Sequence, residues 1–176
     1  MKKLFLPALF FLAGCYPQSE EPEPEPLTVE GLKPIYVSES QVQTVEALPP
    51  QPIVRLGKIY YKDQTIYVNE SYLGVHVIDN SDPLNPLKIK FLRIPGCRDI
   101  AIKGNILYAD NAGDLVAVDI SNLDQPKVVK RLEGIQGNVS QNFPELYQGY
   151  FECVDDAKGV VVGWEKATLT DPKCWR

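Results

Sequence analysis

A chain of 176 residues with 18 basic and 23 acidic side chains carries a formal net charge of −5, and it holds one histidine and 4 cysteines. An acidic balance without a Lys/Arg stripe argues against nucleic acid or anionic lipid headgroups as partners. A lone imidazole leaves no second one to complete a histidine metal site.

Taken in chain order, Lys2 and Lys3 precede an apolar run from Leu4 to Leu12, interrupted by Pro7 and closed by Leu12-Ala13-Gly14-Cys15. The run is about nine residues, far short of the roughly 20 that a helix needs to cross a bilayer. A basic start, a short apolar stretch, small residues and then a cysteine are the layout of a bacterial lipoprotein signal. Residues 1–14 are therefore expected to be cleaved, leaving Cys15 as the lipid attachment site. Each methylene of an acyl chain such as palmitate contributes about 0.8 kcal/mol on burial, so two or three chains anchor a protein without a membrane span. Cleavage removes Lys2 and Lys3 and leaves 16 basic against 23 acidic residues, a net charge of −7.

Tyr16 to Pro26 alternates proline with carboxylate and has almost nothing to bury. Such a segment favours extended polyproline II geometry, and 15–34 is read as an acidic tether with a reach of roughly 30 Å. Ser19-Glu20-Glu21 resembles the acidic stretch that accompanies export to the cell surface in some Gram-negative lineages; a plain solvated spacer is the alternative. The expected location is extracytoplasmic, lipid-anchored to the outer membrane on its periplasmic face or at the cell surface.

The β-repeat domain is read as 35–176. Its short runs are β-branched or aromatic and bounded by turn residues, which predicts strands. They are Ile35-Tyr36-Val37, Ile53-Val54-Arg55-Leu56, Lys58-Ile59-Tyr60-Tyr61, Thr65-Ile66-Tyr67-Val68, Val75-His76-Val77-Ile78, Ile89-Lys90-Phe91-Leu92, Ile100-Ala101-Ile102, Ile106-Leu107-Tyr108-Ala109, Leu115-Val116-Ala117-Val118, Val128 to Leu132 and Val160-Val161-Val162. Only Ser40 to Leu48 has spacing suited to a helical turn.

Two segments repeat. Gly74 to Asp79, then Ser81 and Pro86, superimpose on Asp114 to Asp119, Ser121 and Pro126 at an offset of 40 residues. Upstream, Ile66-Tyr67-Val68 aligns with Ile106-Leu107-Tyr108, and downstream Leu92 aligns with Leu132. In each copy an apolar strand ends in an Asp whose side chain suits the backbone of the following turn, and a proline stiffens the approach to the next strand. A period near 40 built from about four strands is the signature of a propeller blade.

The strands Gly74-Val75-His76-Val77-Ile78-Asp79 and Asp114-Leu115-Val116-Ala117-Val118-Asp119 resemble the LVIVD-repeat family of extracytoplasmic β-propeller-like proteins, lipoproteins among them. The resemblance implies a short or truncated member. About 140 residues follow the tether, enough for about three blades where a closed ring needs about four to eight. The expected fold is all-β, a partial β-propeller-like stack of short antiparallel sheets with two clear repeats and a C-terminal hairpin unit. Open sheet edges or faces then point to an oligomer or a partner.

Outside the cytoplasm, Cys97, Cys153 and Cys174 are free to oxidise. Phe151 to Val154 and Gly159 to Trp164 flank Asp155-Asp156-Ala157-Lys158 and read as a hairpin, past which the tail returns to place Cys174 beside Cys153. Closing a loop of about 20 residues contributes on the order of 3 kcal/mol. Rival pairings use Cys97.

Candidate chemistry is sparse. His76 alternates with Val75 and Val77 and reads as a sheet-packed or surface histidine. Asp79, Asn80 and Asp82, or Asp110, Asn111 and Asp114, have oxygen ligands of the kind Ca²⁺ takes, but neither cluster has the spacing of a calcium loop, and the same residues build turns. No catalytic residue, cofactor or metal is assigned. The reading is a non-enzymatic binding module for an envelope protein or glycan, with Tyr60, Tyr61, Tyr67, Tyr72, Trp164 and Trp175 as aromatic contacts. The alternative is a hydrolytic or carbohydrate-active protein using the Asp-rich loops.

Overall fold

A computed structural model describes residues 25–135 and 142–176. The leader, Cys15 and the tether as far as residue 24 lie outside the described residues. The described residues are nearly all β, arranged as three short sheets, none of which closes on itself.

In chain order the elements begin with β1 (Thr28–Val37), α1 (Glu39–Gln43) and β2 (Glu46–Leu48). The domain boundary expected at residue 35 therefore falls inside a strand, and the folded part takes in Thr28 to Pro34. Gly31 and Pro34 disguise that strand. Gly31 is needed because a Cβ there would stand 2.5 Å from the Tyr150 carbonyl oxygen, a close approach that only glycine tolerates. The helical turn is shorter than Ser40 to Leu48. Ser38 caps it by accepting from the Gln41 amide while Gln41 Oε1 accepts from the Ser38 amide at 2.9 Å, a capping box. Beyond Thr44 the chain leaves the helix for an outer strand.

The first sheet comprises β2, β3 (Leu56–Lys62), β4 (Thr65–Glu70), β5 (Gly74–Asp79) and β6 (Leu87–Arg93), in the order β2-β6-β5-β4-β3. Because β2 and β3 lie on opposite edges, the connection from Pro49 to Arg55 must cross the sheet. This proline-rich strap is not the strand expected at Ile53 to Leu56. Its amides at Val54 and Arg55 bond to the Glu70 carboxylate instead of joining a ladder, and Lys88 Nζ donates to the Gln51 carbonyl at 3.1 Å.

The second sheet is a meander of β7 (Ile100–Lys103), β8 (Ile106–Asn111), β9 (Asp114–Asp119) and β10 (Lys127–Leu132). It repeats β3 to β6, with one change from the sequence alignment. Tyr67 pairs with Val77 and Tyr108 pairs with Ala117, so Tyr67 corresponds to Tyr108, 41 residues on, while β5 and β9 stay 40 apart. The turn Ser71-Tyr72-Leu73 is one residue longer than Ala112-Gly113, and this absorbs the difference. Both residues of the shorter turn have positive φ, 52° and 97°, which suits the right-handed twist of a two-residue hairpin.

Strand alternation puts Tyr67, Val75, Val77 and Leu92 on the inner face of the first sheet, against Ile100, Ile102, Leu107, Ala109, Val116 and Val118 of the second. Burying each Val, Leu or Ile contributes about 1.5–3 kcal/mol. This is the main core, and Tyr60 pins it by donating to the Ile102 carbonyl at 2.8 Å.

The terminal sheet corrects the hairpin expectation. It comprises β11 (Tyr150–Phe151), β12 (Val160–Thr170), β13 (Cys174–Trp175) and β1, in the order β12-β1-β11-β13. β1 lies between β11 and β12, antiparallel to β12 from Thr28–Thr170 to Val37–Val160 and parallel to β11 at Leu32–Phe151. Residues from the two ends of the chain therefore complete one sheet. Asp155 to Lys158 form not a hairpin turn but a single 3-10 turn with Asp155 as its cap.

Candidate functional site

The Asp-rich segments are built as turns. Asp79 Oδ1 accepts the Ser81 amide at 2.9 Å, and at the equivalent place Asp119 Oδ1 accepts the Ser121 amide at 2.8 Å. Those backbone N–H groups hold both carboxyls below the ordinary aspartate range. Asp82 is lowered by the Asn85 side-chain amide and by the Leu84 amide, which reach it at 2.8 and 3.0 Å. Asp114 accepts from Arg131 Nη1 at 2.7 Å and from the Gly134 amide at 2.9 Å. Asn111 donates to the Pro95 carbonyl at 2.7 Å, and Asp110 lies 3.7 Å from Arg98. Among the described residues no group of three or more His, Cys, Asp or Glu side chains converges to hold a metal ion.

Glu70 was not singled out by the sequence, yet it is the most enclosed acid described, 2 % exposed beside a fully buried His76. His76 Nε2 lies 3.1 Å from Glu70 Oε2. The carboxylate only accepts, so Nε2 carries the shared proton. The same carboxylate takes the Val54 amide at 3.0 Å and the Arg55 amide, and so ties the strap to the outer face of the first sheet. Burial pushes the Glu70 carboxyl up, but the two amides and His76 together outweigh it and leave it below the usual value. Phe91 closes the pocket with its ring centroid 4.8 Å from that of His76. The available signal was register: a lone Glu and a lone His fall on one face of adjacent strands once the Ser71-Tyr72-Leu73 turn is placed.

The LVIVD repeat profile matches residues 96–133, the span from the connector at Gly96 through the second sheet. Residues 96–133 of this chain are an LVIVD repeat. No curated protein and no solved structure matches the chain. The first sheet of this LVIVD-repeat chain is a structural copy of the second that carries Glu70 and His76 where the second has Asn111 and Val116. Glu70 and Asn111 do parallel work, since each ties down the segment that leads into its own sheet, Val54-Arg55 in one case and Pro95 in the other.

The aromatic candidates separate by burial. In the LVIVD-repeat chain Tyr67 is in the core and Tyr60 is bonded to Ile102. Tyr72 packs on Gly163, where an added Cβ would stand 2.2 Å from the ring, and Trp164 stacks edge-on against Phe151. Only Tyr61 and Trp175 of the six stand exposed. Tyr61 shares a strand face with Ile59, and with Leu56 and the strap residue Val54 it forms an exposed apolar stripe, Val54 reaching 77 % exposure.

Cys153 and Cys174 form a disulfide. Cys97 is a buried free thiol that receives the Asn69 side-chain amide at 3.1 Å. Burial, and after it the nearby Asp110 carboxylate, pushes its pKa well above the usual thiol range. Among the described residues no helix is long and apolar enough to cross a membrane, and the disulfide is compatible with an oxidising compartment outside the cytoplasm.

Proposed function

We propose that this chain is a non-enzymatic interaction module of the bacterial cell envelope, held at the outer membrane by acyl chains on Cys15 and binding a protein partner through its β body. The observation that carries the reading is the fate of the polar candidates. Asp79, Asp82, Asp114 and Asp119 are committed to turn amides and to Arg131. Val54, Leu56 and Ile59 with Tyr61 are instead exposed apolar side chains with no such commitment. An aliphatic stripe with one tyrosine suits a protein surface, because a glycan site needs convergent hydrogen-bonding groups beside its aromatic rings.

The test joins anchor and surface. Metabolic labelling with a palmitate analogue is expected to mark the wild-type chain and not Cys15→Ser, which should leave the membrane fraction. Cross-linking in intact cells should recover a protein with the wild type that is lost with Ile59→Asp and Tyr61→Asp, both folding normally. Unlabelled wild type would overturn the anchor, and undiminished capture by both variants would overturn the surface.

A further inference from the structure

We infer that the free edge of β3 is a strand-docking site, on which an extended apolar segment of the protein partner pairs with the backbone of Ile59 and Tyr61 and lengthens the first sheet by one strand. The inference rests on the reading of Val54, Leu56, Ile59 and Tyr61 as the binding surface and names the form of what binds there.

β3 ends the strand order of its sheet, so one of its two sides has no neighbour. The turn Asp63-Gln64, with φ of 48° and 60°, is a two-residue hairpin that makes Lys62 and Thr65 its first bonded pair. Bonded and non-bonded pairs alternate along an antiparallel ladder. Tyr60 and Tyr67 are therefore bonded to each other, whereas Ile59 opposite Val68 and Tyr61 opposite Ile66 are not. The N–H and C=O groups of Ile59 and Tyr61 point away from β4, and among the described residues none of them takes a hydrogen bond. The same alternation in the second sheet turns the Ile102 carbonyl outwards from β7, and there it accepts from Tyr60. On the outer face the side chains of Ile59 and Tyr61 are each 60 % exposed, in line with Leu56.

Donors and acceptors in this order, at strand spacing, are matched by a second extended backbone. A helix or a closed sheet has already spent its own backbone groups. The first sheet accepts such a strand at its opposite edge, where Glu46-Ala47-Leu48 alone pairs with Phe91 to Arg93 of β6. Edges are ordinarily blunted by shortness, by charge or by bonds to side chains, and the others here are. β2, β7 and β13 span three, four and two residues. β10 carries Lys127, Lys130 and Arg131, and on β12 the Trp164 carbonyl accepts from Arg55 Nη1 at 3.3 Å. β3 runs for seven residues, and its two lysines are paired, Lys58 with Asp99 and Lys62 with Asp63. Residues directly opposite one another share a face, so the docking segment places apolar side chains at alternate positions beside Ile59 and Tyr61.

Panning a display library of short linear peptides on the disulfide-intact chain from Cys15 onward tests this. Recovered peptides should carry apolar residues at alternate positions, and Ile59→Asp should abolish their binding. One such peptide should bind Tyr61→Pro about tenfold more weakly than Tyr61→Ala, because both variants lose the phenol but only proline loses the outward N–H. An edge position whose N–H faces solvent accepts proline, so the two variants should melt alike. In the wild type, adding the peptide should slow hydrogen exchange at Ile59 and Tyr61 roughly tenfold or more and leave Tyr60, already bonded to Tyr67, unchanged. Equal binding by Tyr61→Pro and Tyr61→Ala, unprotected amides at Ile59 and Tyr61, or a library that yields no peptide would overturn strand pairing and leave the stripe standing. Failure of the stripe is read separately, from undiminished capture in cells by Ile59→Asp and Tyr61→Asp, and it would remove both.

Discussion

His76 Nε2 meets Glu70 Oε2 at 3.1 Å on the outer face of the first sheet, and both side chains are sealed from solvent. The contact explains why the chain tolerates an acid and an imidazole among valines. The carboxylate fastens two strap amides, one on each oxygen, and the histidine shares Oε2 with the Val54 amide. A buried polar group left without its partner costs far more than the pair contributes.

Glu70→Ala is therefore expected to lower the unfolding free energy by about 3 kcal/mol, since it strands His76 and the amides of Val54 and Arg55. Glu70→Gln, which keeps one acceptor oxygen, should cost roughly half as much. Urea denaturation measures both, and hydrogen exchange at Val54 and Arg55 should quicken before exchange in β5. Equal exchange rates in variant and wild type would refute the fastening role.

The same carboxylate sets a pH dependence. Its folded pKa lies below its usual 4.5 because the strap amides and His76 favour the charged form against burial. The unfolded chain then binds more protons between the two values, so this contribution is fully present above about 4.5 and is lost as pH falls through the folded pKa. Asp79, Asp82 and Asp119 are shifted the same way. Denaturation midpoints should be level from pH 7 down to about 5 and fall below that, less steeply in Glu70→Gln. A decline that begins near pH 6 would contradict this assignment.

Asp79 and Asp119 hold equivalent turns, so Asp79→Ala and Asp119→Ala should lower the melting midpoint by similar, modest amounts. Adding Ca²⁺ or a chelator should leave the wild-type midpoint unchanged. A calcium-dependent rise would mean that the clusters bind a cation after all.

The disulfide closes a loop with a sequence separation of 21 and holds β13 against β11, where Trp175 packs edge-on to Tyr150. Replacing Cys153 and Cys174 together with serine should cost about 3 kcal/mol by urea denaturation, and hydrogen exchange at Tyr150 and Trp175, which pair across β11 and β13, should quicken. Cys97, raised by burial and by Asp110, should resist alkylation at pH 8 until denaturant opens the core. Fast labelling in the native state would contradict the packing around Asn69.

The amino-acid pattern determined the strands of the two repeats and the role of Asp79 and Asp119, because each is written in neighbours along the chain. Val75-His76-Val77-Ile78 and Leu115-Val116-Ala117-Val118 announce themselves through β-branched runs, and an Asp two residues before a Ser announces a turn. The tertiary structure alone decided which distant segments meet. β1 enters the terminal sheet between β11 and β12, and the strap crosses the first sheet to reach Glu70. The physical reason is that local periodicity records which residues share a face, while the partner of that face is selected by packing between segments more than a hundred residues apart, as with Thr28 and Thr170.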